Sequence, residues 1–364
     1  MKNGKLQVGI IGCGGIANNK HLPSLSQLKD KLDLVAFCDI IIERAEKAKE
    51  EYGTPDAKVY EDYRELLADP EIDVVHVLTP NVAHAQITID AFHAGKHVMC
   101  EKPMAATVAD ARRMLEAWKE SGKKFTIGYQ SRFRPELQNL KKSCEAGDLG
   151  EVYFAQAHAI RRRAVPTWGV FPNKALQGGG PLIDIGTHAL DMTLWCMDNY
   201  EPARVTGSVF YKLGNDPAAV DGNLWGPWDP ETYEVEDSAM GQIVMKNGAT
   251  IQLVASWALN TVVNREASTT LCGTKAGADI YDGQVVYNRG KNGQLMEEKV
   301  SNSGAVAFYG GVSGKPEEIE ARQWIDAVLN DGEPCVKPEQ AFVVTQILEA
   351  IYESARTGKE VVFE

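Results

Sequence analysis

Basic residues are in the minority in this chain: 38 lysines and arginines stand against 50 aspartates and glutamates in 364 residues, a formal charge of −12. That balance disfavours a general nucleic-acid surface and leaves Arg161-Arg162-Arg163 as a local exception. Long apolar runs are missing as well. Stretches such as residues 34–38 are far below the roughly 20 residues that cross a bilayer, so no membrane partner is expected. Paired cysteines are absent too: the seven (Cys13, Cys38, Cys100, Cys144, Cys196, Cys272, Cys335) are scattered, odd in number and never form CxxC. Their usage fits a reducing cytosol. The opening MKNGKLQVGI enters a strand-like run without the apolar stretch and cleavage site of a signal peptide, so the expected location is cytoplasmic. What remains, 44% hydrophobic and 24% charged residues, is ordinary for a globular protein, and the length exceeds what one core usually supports. Two domains are expected.

Residues 6–11 (LQVGII) form a short β-branched run that meets Gly12-Cys13-Gly14-Gly15-Ile16-Ala17 and then a helix-compatible stretch ending near Asp30. A GxGxxA turn suits a dinucleotide: glycine permits the sharp turn, a bare backbone admits pyrophosphate, and a small last residue lets helix and strand approach. About twenty residues on, the run 34–39 ends in Asp39, placed to bind adenosine ribose hydroxyls. Such an acid favours NAD, Arg44 nearby leaves dual use with NADP open, and an acid closing a strand also serves to cap the next helix.

The alternation continues with strands at 59–60, 74–78, 97–100 and 125–128 and helices at 62–68, 84–94 and 108–121. It predicts a doubly wound parallel sheet over residues 1–128, the cofactor domain. From residue 129 the rhythm changes. Strand-like runs at 152–160, 203–213, 238–245, 250–259, 266–272 and 284–288 predict a large, mainly antiparallel, open-faced sheet over residues 129–364. That part is expected to bind substrate and, through its free face, a second subunit in a homodimer or homotetramer.

Two loops follow strands and belong at the carboxyl edge of the first sheet: Thr79-Pro80-Asn81-Val82-Ala83-His84 and Glu101-Lys102-Pro103. Proline keeps Lys102 out of helical geometry, and its ammonium suits stabilising a developing alkoxide. In the second part, QGGGPLIDIGTHALD (residues 177–191) lacks the Lys-Ser/Thr of a P-loop, and a helix after its glycines brings Asp184, His188 and Asp191 near one face. Those three suit a proton-handling pair or a buried, satisfied histidine. They match no common zinc spacing, so no metal is expected. The glycines read as a place where backbone passes close to substrate.

In order, GxGxxA at Gly12–Ala17, TPNxxH at Thr79–His84, EKP at Glu101–Pro103 and GGGxLxDxGxHxxD at Gly178–Asp191 resemble the glucose-fructose oxidoreductase / inositol dehydrogenase / MocA family over nearly the whole chain. The resemblance implies a Rossmann domain and an NAD-dependent dehydrogenase acting on a secondary hydroxyl of a sugar, glycoside or cyclitol. Lys102 then matches the catalytic lysine, and Asp184 and His188 the acid-base pair. Gly12, Gly14, Gly15, Ile16, Ala17, Asp39, Arg44, Thr79, Asn81, His84, Glu101 and Lys102 fall to the cofactor. Gly128-Tyr129-Gln130-Ser131-Arg132-Phe133-Arg134-Pro135 resembles a further site segment, with Gln130 in place of the usual asparagine, and brings Arg132 to the substrate.

Arg163 and Trp168 precede the glycine run and join Lys102, Asp184 and His188 as candidates for substrate contact. Residues 213–236 form a long connection rich in Gly, Pro and Asp, holding Trp225, Trp228 and Tyr233, whose rings suit stacking on a sugar or packing a subunit. Two rivals keep the same constellation: glycoside oxidation by tightly held, recycling NAD coupled to bond cleavage or sugar–sugar exchange, and a nonenzymatic NAD-bound sensor.

Overall fold

The computed structural model describes residues 1–281, 283–300 and 314–364. The chain divides into two compact units. The first contains residues 1–133 and takes back residues 314–342 of the described chain; the second contains 134–300 and 343–364. A single cut at residue 128 does not reproduce this division. The helix Pro316–Leu329 sends Trp324 and Ile325 into the core formed by Leu22, Leu25 and Leu28 of the first unit, so burial of apolar surface returns a distant segment to it.

The first unit is built on a six-stranded parallel sheet of β1 (Leu6–Ile11), β2 (Leu32–Cys38), β3 (Lys58–Tyr60), β4 (Val74–Val77), β5 (His97–Cys100) and β6 (Phe125–Ile127), in the order β3-β2-β1-β4-β5-β6. β1 and β4 are buried at every position, as expected of central parallel strands covered on both faces. The order reverses between β1 and β4, the place where open α/β sheets bind ligands. Helices begin where the sequence supplies caps: Asp62 accepts the Arg64 N–H before Tyr63–Leu67, and Thr107 accepts the Asp110 N–H before Val108–Ser121. Each such cap contributes about 1 kcal/mol. The stretch after the glycine turn is not one regular helix. It runs as a π turn (Ala17–His21), a short α-helix (Leu22–Leu25) and a 3-10 turn (Ser26–Leu28).

The second unit carries nine strands: β7 (Val152–Ile160), β8 (Pro202–Phe210), β9 (Ser238–Met245), β10 (Thr250–Ser256), β11 (Arg265–Gly273), β12 (Ala276–Tyr281), β13 (Gln284–Lys291), β14 (Gln294–Lys299) and β15 (Val361–Val362). Their order is β14-β13-β12-β11-β7-β10-β9-β8-β15, antiparallel except for the β7/β10 pair. The helix Thr187–Met197 packs across β7 and β11, and Pro135–Glu145 packs on β12 and β13. The opposite face stays open, with Met240, Gln242 and Gln252 exposed in neighbouring strands. β12, β14 and β15 escape a reading of the sequence for physical reasons. AGADIY is poor in bulky β-formers, QLMEEK is exposed at all six positions and has no alternation, and Val361–Val362 is too short to show a period.

Candidate active site

The glycine turn leaves β1 with Gly12 at φ +95°, where an added Cβ meets the Leu78 carbonyl oxygen at 2.6 Å. Only glycine fits there. Gly14 differs, because a Cβ on it meets nothing within 4 Å, and on Gly15 it meets only the Asn19 amide at 3.9 Å. Those two residues present bare backbone to open space, the cradle a pyrophosphate requires. Ile16 is exposed beside them, and Ala17 is fully buried where helix meets strand. Asp39 ties the turn down: one carboxylate oxygen accepts the Cys13 N–H at 2.8 Å and the other accepts the Ile41 N–H at 2.9 Å. Each oxygen keeps a second acceptor position for a ribose hydroxyl. Arg44 is exposed on the helix Ile42–Tyr52 that follows.

At the ends of β4 and β5 the two sequence loops separate into contact and support. Thr79 and Asn81 are half-buried, and Lys102 is half-buried beyond β5. His84 has no exposed surface; its Nδ1 lies 2.8 Å from the Pro103 carbonyl oxygen and its Nε2 2.9 Å from that of Thr79. Burial pulls its pKa below the ordinary histidine value, against the opposing pull of the two carbonyls. His84 therefore fastens one loop to the other beneath the surface, not the cofactor contact the sequence suggests. Glu101 is likewise buried. One of its oxygens holds the Lys20 ammonium at 2.7 Å and His21 Nε2 at 2.8 Å, and the other accepts the Lys102 N–H at 3.0 Å. Burial pushes that carboxyl up, but Lys20 and His21 outweigh burial and hold it well below the usual range. Arg132 is also fully buried, donating to the Cys335 carbonyl and to Gln340 Oε1 at 2.6 Å. A guanidinium so enclosed supports the fold and offers no surface to substrate.

In the second unit the glycine run has a purpose the sequence does not reveal. Gly178, at φ +82°, ends the short helix Lys174–Gln177. A Cβ on Gly179 meets the Tyr352 hydroxyl at 2.2 Å, and one on Gly180 meets the Glu236 carbonyl oxygen at 2.3 Å. The glycines make room for the Tyr352 hydroxyl and the Glu236 main chain, a packing role that the sequence does not signal. The Glu236 carboxylate accepts the Gly180 N–H at 2.9 Å and the Leu182 N–H at 3.2 Å, and Tyr352 donates to it at 2.7 Å. Burial raises the Glu236 pKa, while Tyr352 and the two N–H groups oppose the rise. It caps the segment that carries the acid-base candidates.

That segment is not one straight helix. Leu182–Gly186 is a π turn and Thr187–Met197 is α-helical, so the wider turn shifts Asp184 out of simple α phase with His188. Asp184 and His188 are half-buried, whereas Asp191 has no exposed surface and so does not share their environment. The Trp257 indole N–H donates to Asp184 Oδ2 at 3.0 Å, and Trp257 is itself held by edge contacts with Phe171 and Tyr233. Trp168 is half exposed, in a T-shaped contact with Trp225 at 4.8 Å. Trp228 and Tyr233 are buried, in ring contact with each other. Arg163 spends its guanidinium on the carbonyls of Ala219 and Arg162 and on Asn260, holding the long 213–236 connection. Among the described residues, no group of three or more His, Cys, Asp and Glu side chains gathers as a metal site.

Residues 6–129 match the family model for the GFO/IDH/MocA oxidoreductases with an NAD-binding Rossmann fold, and residues 137–279 match that family's C-terminal domain. The chain belongs to this family. Over 367 aligned residues it is 37% identical to D-glucoside 3-dehydrogenase of Escherichia coli (strain K12), covering 99% of this chain and 98% of that protein. It is 28% identical to aldose-aldose oxidoreductase from Caulobacter crescentus, solved with glycerol, at a TM-score of 0.79 over 99% of this chain and 100% of the other. The levoglucosan dehydrogenase complex with NADH and levoglucosan shares the fold at a TM-score of 0.82 and 23% identity, covering 98% of this chain and 99% of the other. The bare backbone at Gly14 and Gly15, beside a turn held by Asp39, fits the NAD-binding Rossmann fold of that family.

Two substitutions separate folding from cofactor binding at this turn. Gly12→Ala is expected to destabilise the protein by about 1–3 kcal/mol, because its Cβ collides with backbone at a positive φ. Gly14→Ala is expected to leave the melting temperature unchanged while weakening NAD by about tenfold, or about 1.4 kcal/mol, in calorimetric titration. Equal NAD affinity in Gly14→Ala and the parent contradicts the cradle assignment.

Proposed function

We propose that this chain oxidises a secondary hydroxyl of a sugar or glycoside, with NAD as the hydride acceptor. The observation that carries the reading is the match along the full chain to a D-glucoside 3-dehydrogenase, joined to a glycine turn whose bare backbone leaves room for a pyrophosphate. Bound NAD supplies the electron-pair acceptor at the nicotinamide ring. The chain's residues move the proton and hold the charge. His188 takes the proton from the substrate hydroxyl, a task suited to a group whose ordinary pKa lies near neutrality. Asp184, itself held by the Trp257 indole, orients and charge-stabilises the imidazole. The Lys102 ammonium stabilises oxyanion character on the reacting oxygen, and Glu101 fixes the backbone from which Lys102 extends. Thr79 and Asn81 serve the cofactor. Trp168, with Trp225 beside it, offers apolar ring faces to the sugar or its aglycone, and Arg163 serves substrate by holding the connection that carries Trp225.

A second reading is favoured by the likeness to an aldose-aldose oxidoreductase: NAD stays bound and is re-reduced and re-oxidised by successive sugars. Both readings use the same proton-handling groups. We also propose a cytoplasmic protein assembled as a homodimer or homotetramer through the open sheet face around Met240, Gln242 and Gln252. Sedimentation at micromolar concentration is expected to show dimer or tetramer; monomer alone contradicts the assembly.

Lys102→Ala and His188→Ala are each expected to lower kcat by about 10²-fold or more, with NAD affinity held within a few-fold. The measurement is NADH absorbance across a panel of glucosides, free sugars and inositols, with mass spectrometry of the purified protein for retained cofactor. Near-parental turnover in both variants contradicts the assigned roles.

A further inference from the structure

Beneath the Lys102 loop, the first unit buries more charge than the chemistry above uses. The Lys20 ammonium lies 2.7 Å from Glu101 Oε1 and 2.8 Å from Glu320 Oε2, with all three side chains 7% exposed or less. His21 Nε2 shares Glu101 Oε1 at 2.8 Å, and His21 Nδ1 lies 3.2 Å from His76 Nδ1. The carboxylate demands a proton on His21 Nε2, so a neutral His21 accepts at Nδ1 from His76. His76 is then left with a bare Nε2, and that atom indeed has no partner. Glu101 passes the arrangement upward through its other oxygen to the Lys102 N–H. Gly128 adapts to it, since a Cβ there lies 2.9 Å from the Glu101 carboxylate.

Glu320 comes from the returning helix Pro316–Leu329 and completes this cluster, yet its Oε1 is buried without a partner. A carboxylate oxygen without a donor costs far less when the group is neutral than when it is ionised. One lysine between two carboxylates also compensates only one negative charge. We propose that Glu320 is a positioning residue for the Lys102 loop, acting through Lys20 on Glu101, with the proton on Glu320 deciding how much of the Lys20 charge Glu101 keeps. This rests on the reading of Lys102 given above. The groups that face Glu320 are Lys20 from the 17–21 turn, Glu101 from the end of β5 and Glu317 from its own helix, and His21 joins the cluster through Glu101. Arg132, on the neighbouring 130–133 turn, is engaged with the Cys335 carbonyl and Gln340. Burial pushes the Glu320 carboxyl up to about 7, Glu101 and Glu317 add to the rise, and Lys20 opposes it.

The sign follows from that elevation. A carboxyl held above its ordinary value of 4.5 binds its proton more tightly in the folded chain, so its stabilising effect is full below that value and is lost as pH rises through about 7. Over the same interval Lys20 becomes shared between two charged carboxylates, and the hold on the Lys102 N–H changes.

The test is the Lys102 amide resonance in the full-length, cofactor-free protein labelled with 15N-lysine, assigned by its loss in Lys102→Arg and followed from pH 5.5 to pH 8.5 at intervals on the order of half a pH unit. The parent is expected to show a shift of that amide with a midpoint near 7, and Glu320→Gln, which mimics the neutral form, is expected to lose it. If Glu320→Gln does not fold, Glu320→Asp serves, with a displaced midpoint expected. A Lys102 amide that does not titrate, or one that titrates alike in parent and variant, overturns the proposal. The readout needs no turnover, so its failure is distinct from failure of the dehydrogenase reading. An active enzyme adds a second arm: the kcat ratio of Glu320→Gln to parent changes across neutrality while the KM for NAD does not. A ratio that is flat with pH also counts against it.

Discussion

A carboxylate removed from water must find donors or lose its charge, and both functional segments of this protein hang from that constraint. In the first unit Glu101 satisfies it with Lys20, His21 and the N–H of Lys102, so the residue proposed to hold the reacting oxygen is fastened at its own backbone. In the second, Glu236 satisfies it with Tyr352 and the N–H groups of Gly180 and Leu182, at the head of the segment bearing Asp184 and His188. Neither glutamate needs to meet substrate to matter. Each fixes where a candidate side chain begins, Lys102 in one unit and Asp184 and His188 in the other, and preorganisation of that kind keeps an active site from losing energy to rearrangement during reaction.

The glycines follow from the same constraint. Gly128 gives way to the Glu101 carboxylate, Gly180 to Glu236 and Gly179 to Tyr352, so three positions without side chains exist because a polar group of another segment needs the space. Gly14 and Gly15 differ, since they face open space, which the proposed reading gives to the cofactor. A glycine-rich stretch in sequence thus has two meanings, and only the identity of the nearest atom separates them.

Much of the fold was legible because it rests on local patterns. The strand, turn, strand and acid from Leu6 to Asp39, the alternation up to Ile127 and most strands of the second sheet announce themselves by apolar runs and turn residues. The order of motifs also placed the chain in its family. What stayed hidden is long-range or irregular. Glu236 lies 56 residues from Gly180 and Trp257 lies 73 from Asp184, and neither sequence neighbourhood signals its partner. The π turn at Leu182–Gly186 leaves no mark that distinguishes it from an α-helix, and the exposed QLMEEK strand has no alternation to read. The motif residues were legible as a group while their separate tasks were not. His84, Glu101 and Arg132 are buried and hydrogen-bonded within the fold, whereas Gly14, Lys102 and His188 keep access to solvent.

On the proposed function, substrate carbon gives its hydrogen directly to NAD on this chain. The most direct measurement uses a glucoside deuterated at every ring carbon, mixed with enzyme and NAD and quenched after one turnover, with the nicotinamide product weighed by mass spectrometry. The account predicts one deuterium in the reduced cofactor, whether released or retained by the protein, together with an oxidised sugar. Oxidised sugar with an unlabelled reduced cofactor, or no cofactor reduction with any sugar, glycoside or cyclitol tried, contradicts it.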